Sequence, residues 1–580
     1  MLFRLPGKVP TLADQSVRLL AELRSIVGSQ HVIADPSTAR SYLHGYRIGG
    51  GDVLAVVRPN SLLELWRATQ AIIRAGAIII TQAANTGLTG GSTPSGSYDR
   101  PVVLISTRRI KGIIAVNGGS EALCLAGSTL TELEHAIAPF GRLPHSVIGS
   151  SCIGASVVGG ICNNSGGALV HRGPAFTRQA LYAQVKGDGS LRLVNHLDVD
   201  LGDEAEAMLM QLDQKNIADE LVLDQTDTPH HSPKVTDYKA YVRDSKATPA
   251  RYNADPRCLF EASGCAGKLI VFAVRVPTYP APRTERSFLV GSNETLKLSR
   301  LRQSILAETK TLPSVCEYMN RSASKLAATH GRDICHMLRI FGPAAMPRIL
   351  AAQTRFDSLW GRTGASSSAS ARVSQAFFSI TPHPLPERVR KLFADHEHCL
   401  LITAIDDGIE ELEHILDRAS ADDGLTSRTL DQGEAAAAFR LRFASAGATV
   451  RVRDLAKDSG ALVALDIALP RNTEDWHTQL PEHLESQVLA KAEYGHFLCH
   501  VFHLDYVLKP GIDPQAFEDE VKTLIEAAGG QMPAEHNFGH LYRAPQAVVD
   551  FYRELDPTNS CNPGIGKTTK ARNWQDEDRA

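Results

Sequence analysis

The chain has 580 residues, 43% of them hydrophobic and 22% charged. These are values of a globular protein, too long for a single core, so two or three domains are expected. A net charge of −3 gives no global case for nucleic acid, and ten scattered cysteines without a CxxC pair exclude a zinc ribbon or a disulfide scaffold and fit a reducing compartment. The first residues, MLFRLPGKVPTLADQ, lack the apolar run of a signal peptide.

Residues 11–35 read as one amphipathic helix, with Leu12, Val17, Leu20, Leu23 and Val27 near helical spacing. Val53–Val57 reads as a short strand. Ser61-x-x-Glu64 is a capping box that opens a helix with Leu62, Leu65, Trp66, Ile72 and Ile73 on one face. The strand Ala77–Thr81 then completes a βαβ unit and delivers the chain into the loop QAANTGLTGGSTP, residues 82–94.

That loop holds no Asp or Glu. Gly87, Gly90 and Gly91 are expected to take positive φ and to let a ligand approach the backbone. Successive N–H groups in such a loop form an anion nest. Asn85, Thr86, Thr89, Ser92 and Thr93 are expected to add side-chain donors, a set suited to phosphate oxygens. The loop is neither GxGxxG nor GxxxxGK[ST], and it offers no Lys for a γ-phosphate, which excludes a kinase or ATPase. A second round follows: strands Val102–Ser106 and Leu123–Ala126, then a helix Leu130–Ala138 behind Thr129-x-x-Glu132. It leads into another small-residue loop, His145–Gly167. The uncharged run Leu143–Val170 contains six glycines with Asn163 and Asn164, so it does not read as a spanning helix. Two such loops, about 60 residues apart, can converge on one large ligand such as a dinucleotide carrying a flat ring system.

The strings VVRPNSLLELWRATQAIIRAG, QAANTGLTGGST and PHSVIGSSCIGASVVGGICNNSGG resemble the FAD-binding domain of the vanillyl-alcohol-oxidase/PCMH superfamily. With GPAFTR, LVNHL, TPARYNADPRCLFEASGCAGKL, YGHFLCHVFH, PAEHNFGHLY and DPTNSCNPGIGKT, the chain resembles one branch closely. That branch is the respiratory, quinone-dependent D-lactate dehydrogenases, flavoproteins held peripherally on the cytoplasmic side of the bacterial inner membrane. The resemblance implies an α+β fold: a PCMH-type FAD-binding domain of two α+β subdomains over residues 1–277, with its core at about 48–220. An α+β cap would follow in two parts, 278–318 and 398–526, interrupted by a basic, largely helical membrane-binding segment, 319–397. Residues 527–580 would return to the FAD domain. The resemblance further implies FAD contacts at Ala83, Ala84, Asn85, Thr86, Gly87, Gly91, Ser92, Gly149, Ser156, Gly166 and Val271. Some relatives attach the flavin covalently through His or Cys. Here the 82–94 loop has no His, and Cys152 and Cys162 read as packing residues, so non-covalent FAD is expected.

Oxidising a 2-hydroxy acid requires a carboxylate binder, a base for the hydroxyl proton and a hydride acceptor, the last supplied by the flavin. Glu535, His536 and His540 sit within PAEHNFGHLY. Histidine takes and returns a proton near neutral pH. The Glu-His-Gly motif of related flavoenzymes implies His536 as the base, although Asn537 stands in the third position; His540 is given no role. In YGHFLCHVFH, a strand would place His496 and His500 on one face, and a helix would align His496, His500 and His503. The resemblance implies a divalent metal held by His496, His503 and Glu535. Cys499, His500 and Val501 replace the Asp-Gly-Asn of relatives, so the alternative stays open that these residues bind the substrate carboxylate without a metal. The carboxylate's arginine is to be sought among Arg321, Arg442, Arg451 and Arg471.

Between Tyr318 and His398, eleven Lys and Arg face five Asp and Glu, so the segment is +6 in a chain of −3. Met337, Leu338, Ile340, Phe341, Trp360, Phe377 and Phe378 are candidate exposed apolar residues, and Ser366–Ser370 reads as a flexible loop. Basic and aromatic residues interleaved in this way suit an anionic phospholipid surface. The expected reaction is D-lactate to pyruvate, with His536 as base and electrons passing through FAD to a membrane quinone. The alternatives are another flavin-dependent 2-hydroxy-acid dehydrogenase, acting on 2-hydroxyglutarate or glycolate, and a non-enzymatic FAD-binding membrane protein.

Overall fold

The computed structural model describes residues 12–45, 47–147, 151, 153–223, 238–244, 246, 248–346, 349, 352–353 and 369–575. The first helix, α1, spans Leu12–Val27 and stops at Gly28, whose φ of 84° breaks the helix well short of residue 35. Its buried stripe is Leu19, Leu23 and Val27, while Val17 is 66% exposed. Four strands form the first sheet: β1 (Val32–Ile33), β2 (Ala55–Val57), β3 (Ile78–Gln82) and β4 (Val102–Ser106), in the order β1-β2-β4-β3. The βαβ unit is therefore split: β2 and β3 both run parallel to β4, which lies between them. These strands are unbroken apolar runs because both of their faces are covered. The connecting helix α2 (Leu62–Arg74) is capped by Ser61 Oγ, which accepts from Glu64 N at 3.1 Å. The Glu64 carboxylate accepts from Asn60 N at 2.7 Å, one residue upstream of the box expected.

The second sheet is antiparallel: β5 (Ile113–Val116), β6 (Glu121–Leu125), β7 (Ala180–Val185), β8 (Leu191–Asn195) and β9 (Ile270–Pro277), in the order β8-β7-β9-β6-β5. Strand β6 begins earlier than the apolar pattern indicates because its first residue, Glu121, is a buried carboxylate paired with Arg275 Nη2 at 2.5 Å. Helix α3 (Leu130–Ile137) carries both halves of the Thr129/Glu132 capping box. The short helix α4 (Val157–Cys162) lies inside the second small-residue loop.

The third sheet has seven antiparallel strands: β10 (Glu285–Ser292), β11 (Val315–Asn320), β12 (His398–Ile405), β13 (Thr426–Leu430), β14 (Leu462–Ala468), β15 (Val488–His496) and β16 (Val501–Leu508). Their order is β13-β10-β12-β11-β15-β16-β14. One face packs on α5 (Thr295–Glu308), α9 (Gly408–Asp423) and α11 (Pro514–Ala527) through Leu298, Leu301, Leu412, Leu416 and Phe517. The other packs on α6 (Arg321–His330), α7 (Arg332–Phe341) and the 24-residue α10 (Gln432–Leu455) through Ala323, Ala327, Cys335, Ala438 and Leu441. Helix α8 (Ala369–Ser379) packs against α7 and α10. The C-terminal segment returns to the first sheet: Ile79 N donates to Ser560 O at 2.9 Å, and Asn562 N to Ile79 O at 2.8 Å.

In the basic segment, Ile340, Phe341 and Phe377 are exposed, as are Val373 and Ile380, which are not among the candidates named from the sequence. Met337 is buried instead, and Phe378 stacks on the His336 ring at 5.8 Å. Trp360 and residues 366–368 lie outside the described residues, and residues 369–370 are the first of α8 rather than loop. Among the described residues, no helix is long and apolar enough to cross a membrane.

Candidate functional site

Strand β3 runs into the 82–94 loop, and the rest of the chain holds that loop in place. Gln82 Nε2 donates to Tyr42 O at 2.9 Å and to Ser92 O at 2.8 Å. Asn85 Nδ2 donates to His44 O at 2.8 Å, Ser92 Oγ to Asn85 Oδ1 at 3.0 Å, Thr93 Oγ1 to Gly90 O at 2.8 Å and Thr89 Oγ1 to Asn537 Oδ1 at 2.5 Å. His540 braces the same loop, with its N donating to Thr89 O at 2.9 Å and its Nε2 to Thr93 O at 3.0 Å. Most of the side-chain donors expected to face a ligand are thus spent on the protein itself, Ser92 and Thr93 within the loop and Asn85 and Thr89 on His44 and Asn537. Gly90 takes φ 71° and Asn85 φ 57°, whereas Gly87 and Gly91 do not adopt positive φ.

The loop lines a cavity of about 620 Å³. Ala83, Ala84, Asn85, Thr86, Gly87, Gly91, Ser92, Ser156, Gly166 and Val271 all face it; Gly149 and Cys152 lie outside the described residues. Several have a second reason for their identity. Ser156 Oγ caps α4, accepting from Gly159 N at 3.0 Å. A Cβ on Gly91 would stand 2.5 Å from Asn537 Nδ2, and one on Gly166 would stand 2.4 Å from the Glu535 carboxyl. On Gly87 it would meet nothing within 4 Å. The residues present fit an elongated anionic ligand with an apolar centre. Among the described residues, the N–H groups of Asn85, Thr86 and Gly87 have no acceptor, and the buried Thr81 Oγ1 and Ser151 Oγ on the wall have no partner. Ala126, Val158, Leu269 and Val271 make the middle of the wall apolar.

A polar cluster lines the same cavity. YGHFLCHVFH is neither one strand nor a helix but a hairpin: β15 ends at His496, residues 497–499 turn, and β16 begins at Val501. Tyr494 lies opposite His503, so Tyr494, His496 and His503 share one face. His500, at φ 52°, points away into the core, where Nδ1 meets Pro470 O at 3.0 Å and burial holds its pKa well below the usual histidine range. His496 Nε2 is 3.0 Å and His503 Nε2 3.7 Å from Glu535 Oε2. The three groups offer ligand atoms within 4.8 Å of one another. Each histidine is oriented by a carboxylate on its other nitrogen: His496 Nδ1 donates to Glu317 Oε1 at 2.6 Å, and His503 Nδ1 is 3.3 Å from Asp466 Oδ1. Such carboxylate–histidine pairs fix the ring so that Nε2 faces a common point, as metal sites require.

The electrostatics follow from burial and pairing. Burial opposes charge on His496, but Glu317 and Glu535 outweigh it and push its pKa up to about 9. Burial also opposes charge on Glu535, where Arg251 and then His496 prevail and hold it at about 2. His536 Nδ1 donates to Asp466 Oδ2 at 2.8 Å, and this pairing overrides burial and raises its pKa. Asp466 Oδ2 also accepts from Glu535 N at 2.7 Å and His536 N at 3.0 Å. Of the four arginines considered, only Arg442 lines the cavity, with its Nε 2.7 Å from Glu317 Oε2. Arg321 pairs with Glu397 and Arg451 with Asp333, and Arg471 is spent on Thr248 and Tyr241.

Sequence reasoning missed Asp466, Glu317 and Arg251. Each is an isolated charge in an otherwise apolar or small-residue stretch (ALVALDIAL, SVCEYM, TPARY), and buried charges are rare unless paired. That was the signal available. Arg251, 2% exposed, forms an ion pair with Glu535.

Comparison with solved structures shows the same fold in 4-ethylphenol oxidase from Gulosibacter chungangensis (TM-score 0.56, 14% identity, 97% of this chain and 98% of that one). It recurs in p-cresol methylhydroxylase (TM-score 0.57, 13% identity, 97% and 98%). Residues 53–193 match the family model described as FAD binding domain, so the class is that of FAD-binding proteins of this fold. Residues 287–574 match the model described as D-lactate dehydrogenase, membrane binding. The chain is 46% identical over 562 residues to the quinone-dependent D-lactate dehydrogenase of Escherichia coli strain K12, covering 96% of this chain and 98% of that protein. The counterpart from Haemophilus influenzae is 45% identical, covering 96% and 99%, and that from Corynebacterium glutamicum 42%, covering 98% and 99%. The chain belongs to the quinone-dependent D-lactate dehydrogenase family.

Two glycines in the cavity wall separate packing from ligand approach. Gly166→Ala should cost about 1–3 kcal/mol through overpacking against Glu535, read as a lower thermal midpoint. Gly87→Ala should leave the midpoint of the ligand-free protein unchanged. Equal midpoints for the two variants would refute this division.

Proposed function

We propose that this chain oxidises D-lactate to pyruvate with FAD and passes the electrons to a membrane quinone. The observation that carries the reading is His536, held by Asp466 on the wall of the cavity that the 82–94 loop lines, beside His496, His503 and Glu535. FAD, held by the 82–94 loop, Ser156, Gly166 and Val271, supplies the two-electron acceptor for the α-hydrogen. His536 takes the lactate hydroxyl proton on Nε2, and Asp466 keeps Nδ1 protonated and stabilises the imidazolium that forms. Arg442 gives the substrate carboxylate a cation on the cavity wall. His496 Nε2, His503 Nε2 and Glu535 are the residues that would hold a divalent metal, whose chemistry is Lewis-acid polarisation of the hydroxy acid. The carboxylates on their far sides support this reading. Non-covalent attachment of FAD is supported by the absence of His from the 82–94 loop and by Cys162, whose thiol is held protonated by Cys265 and by burial.

We assign residues 1–277 and 527–580 to the FAD-binding part, 278–318 and 398–526 to the cap, and 319–397 to the membrane segment. The three sheets support these limits. The chain is a peripheral membrane protein, and we place it on anionic phospholipid at the cytoplasmic face of the bacterial inner membrane. Exposed Ile340, Phe341, Val373, Phe377 and Ile380 support this, together with exposed Lys325, Arg339 and Arg372, which form no ion pair among the described residues. Each well-placed cation adds about 1 kcal/mol on such a surface.

The first experiment is anaerobic flavin bleaching. D-lactate should bleach the purified holoenzyme and L-lactate should not, and acid precipitation should leave the flavin in the supernatant. His536→Ala should keep FAD and slow bleaching by about 10²–10⁴-fold; wild-type flavin that D-lactate fails to bleach rejects the reading. Exhaustive chelation should remove a stoichiometric divalent metal and the activity together. Full activity with no metal left would make His496 and His503 direct carboxylate binders. Raising salt should release the protein from anionic vesicles, because screening shortens to roughly 3 Å at 1 M; retention would assign binding to the apolar residues instead.

A further inference from the structure

One wall of the cofactor cavity plays no part in the proposed reaction. It is made by Ile334 and Met346, from and just beyond α7, and by Phe439, Phe443, Ala446 and Gly447 of α10. The four α10 residues are spaced i, i+4, i+7 and i+8, so they share one helix face. None carries a charge or a side-chain hydrogen-bonding group. Phe439, Phe443, Ala446 and Ile334 are only half-buried although apolar. Gly447 is where the two helices close on each other: a Cβ there would lie 3.1 Å from Ile334 Cδ1. The same α10 face carries Arg442, beside Glu317 and His496, so the apolar wall adjoins the polar cluster. Its other helix belongs to the membrane segment. Beyond Ile334, α7 turns Ile340 and Phe341 outward at 61% and 59% exposure; α8, packed on α7, adds Phe377 at 61%, and Ile380, just past its end, is 83% exposed.

Ala126, Val158, Leu269 and Val271 already offer the flavin ring an apolar wall, and neither D-lactate nor a pyrophosphate calls for a second one. Lactate is a small anion, satisfied by hydrogen bonds and a cation. An apolar wall that opens on the cofactor cavity and shares a helix with an exposed apolar patch fits a lipid-soluble ring with a prenyl tail. We infer that the wall formed by Ile334, Met346, Phe439, Phe443, Ala446 and Gly447 is the binding site for a lipid quinone, which reaches the cavity from the membrane surface. The inference rests on the quinone-linked D-lactate oxidation proposed above and adds the place where the acceptor binds.

The test uses FAD-loaded full-length protein on vesicles of phosphatidylglycerol and phosphatidylcholine containing a long-chain ubiquinone. An azido-ubiquinone photoprobe should label the tryptic peptides that carry the wall, 333–339 (DICHMLR), 340–348 (IFGPAAMPR), 429–440 (TLDQGEAAAAFR) or 443–451 (FASAGATVR), and excess ubiquinone should compete. Ala446→Trp, with Ala446→Leu as the milder filling, should lower both labelling and long-chain quinone reduction by about tenfold or more, equivalent to about 1.4 kcal/mol of binding. FAD content, D-lactate bleaching and ferricyanide reduction should stay at wild-type level. Labelling confined to other peptides, or unchanged quinone reduction in both variants, overturns the inference. So does loss of FAD or of bleaching in the milder variant, since the wall would then serve the cofactor or lactate. Failure of the underlying reading looks different: the wild type itself would not bleach with D-lactate, whatever the photoprobe labels.

Discussion

The Asp466 carboxylate holds the site together. It sits near the end of β14, an edge strand of its sheet, yet is only 3% exposed, and an unpaired charge buried there would cost several kcal/mol. Its partners are all distant in sequence: Oδ2 accepts from the backbone N–H groups of Glu535 and His536 and from His536 Nδ1, and His503 Nδ1 lies 3.3 Å from Oδ1. Once those contacts are made, β14, β16 and the segment carrying Glu535 and His536 have one relative position. Glu535 is then aimed at His496 and His503, and His536 is left with one free ring nitrogen. The remaining buried charge is balanced in the same way, with Arg251 on Glu535 and Arg442 on Glu317.

The loop that carries Glu535 and His536 is in turn pressed onto the loop that lines the cofactor cavity. Gly539 takes φ 52° and comes so close to Thr89 that a Cβ would stand 2.1 Å from the Thr89 carbonyl oxygen. Asn537 bonds both Thr89 and Asn163, one from each small-residue loop. The site is therefore a junction rather than a pocket in either part. Gly91 and Gly166 are small because Asn537 and Glu535 occupy the space a side chain would need, and the same two glycines bring polar groups up to the cofactor cavity. A change at this seam shifts the two loops together.

The basic segment is built into this arrangement rather than appended to it. Helices α6 and α7 cover one face of the seven-stranded sheet and pack on α10, whose small residues (Ala437, Ala438, Ala444 and Ala448) admit them closely. At Gly331, a Cβ would stand 2.9 Å from Ala444 Cβ. Helix α10 thus touches the seven-stranded sheet, helices α6 to α8 and the cavity at once, which joins the exposed apolar surface to the polar cluster through a single element.

Much of this was legible in the chain itself. Local rules set the strands Ile78–Gln82 and Val102–Ser106, the cap at Thr129 and the uncharged 82–94 loop, since hydrophobic runs, capping residues and small-residue loops act within a few positions of one another. The wording of the loops and of the Glu535-His536 and His496/His503 stretches was enough to bring those residues to one site. Other features were decided only by tertiary structure, because they depend on contacts between residues far apart in sequence. Strand β4 inserts between β2 and β3, so the order of the first sheet could not follow chain order. His500 points away from its neighbours because a hairpin, not a single strand or helix, carries them. Glu121, Glu317, Asp466 and Arg251 are buried charges whose meaning lies entirely in their partners. Most side-chain donors of the 82–94 loop bind the protein rather than a ligand for the same reason: a sequence shows what a group can donate, and only packing decides what accepts it.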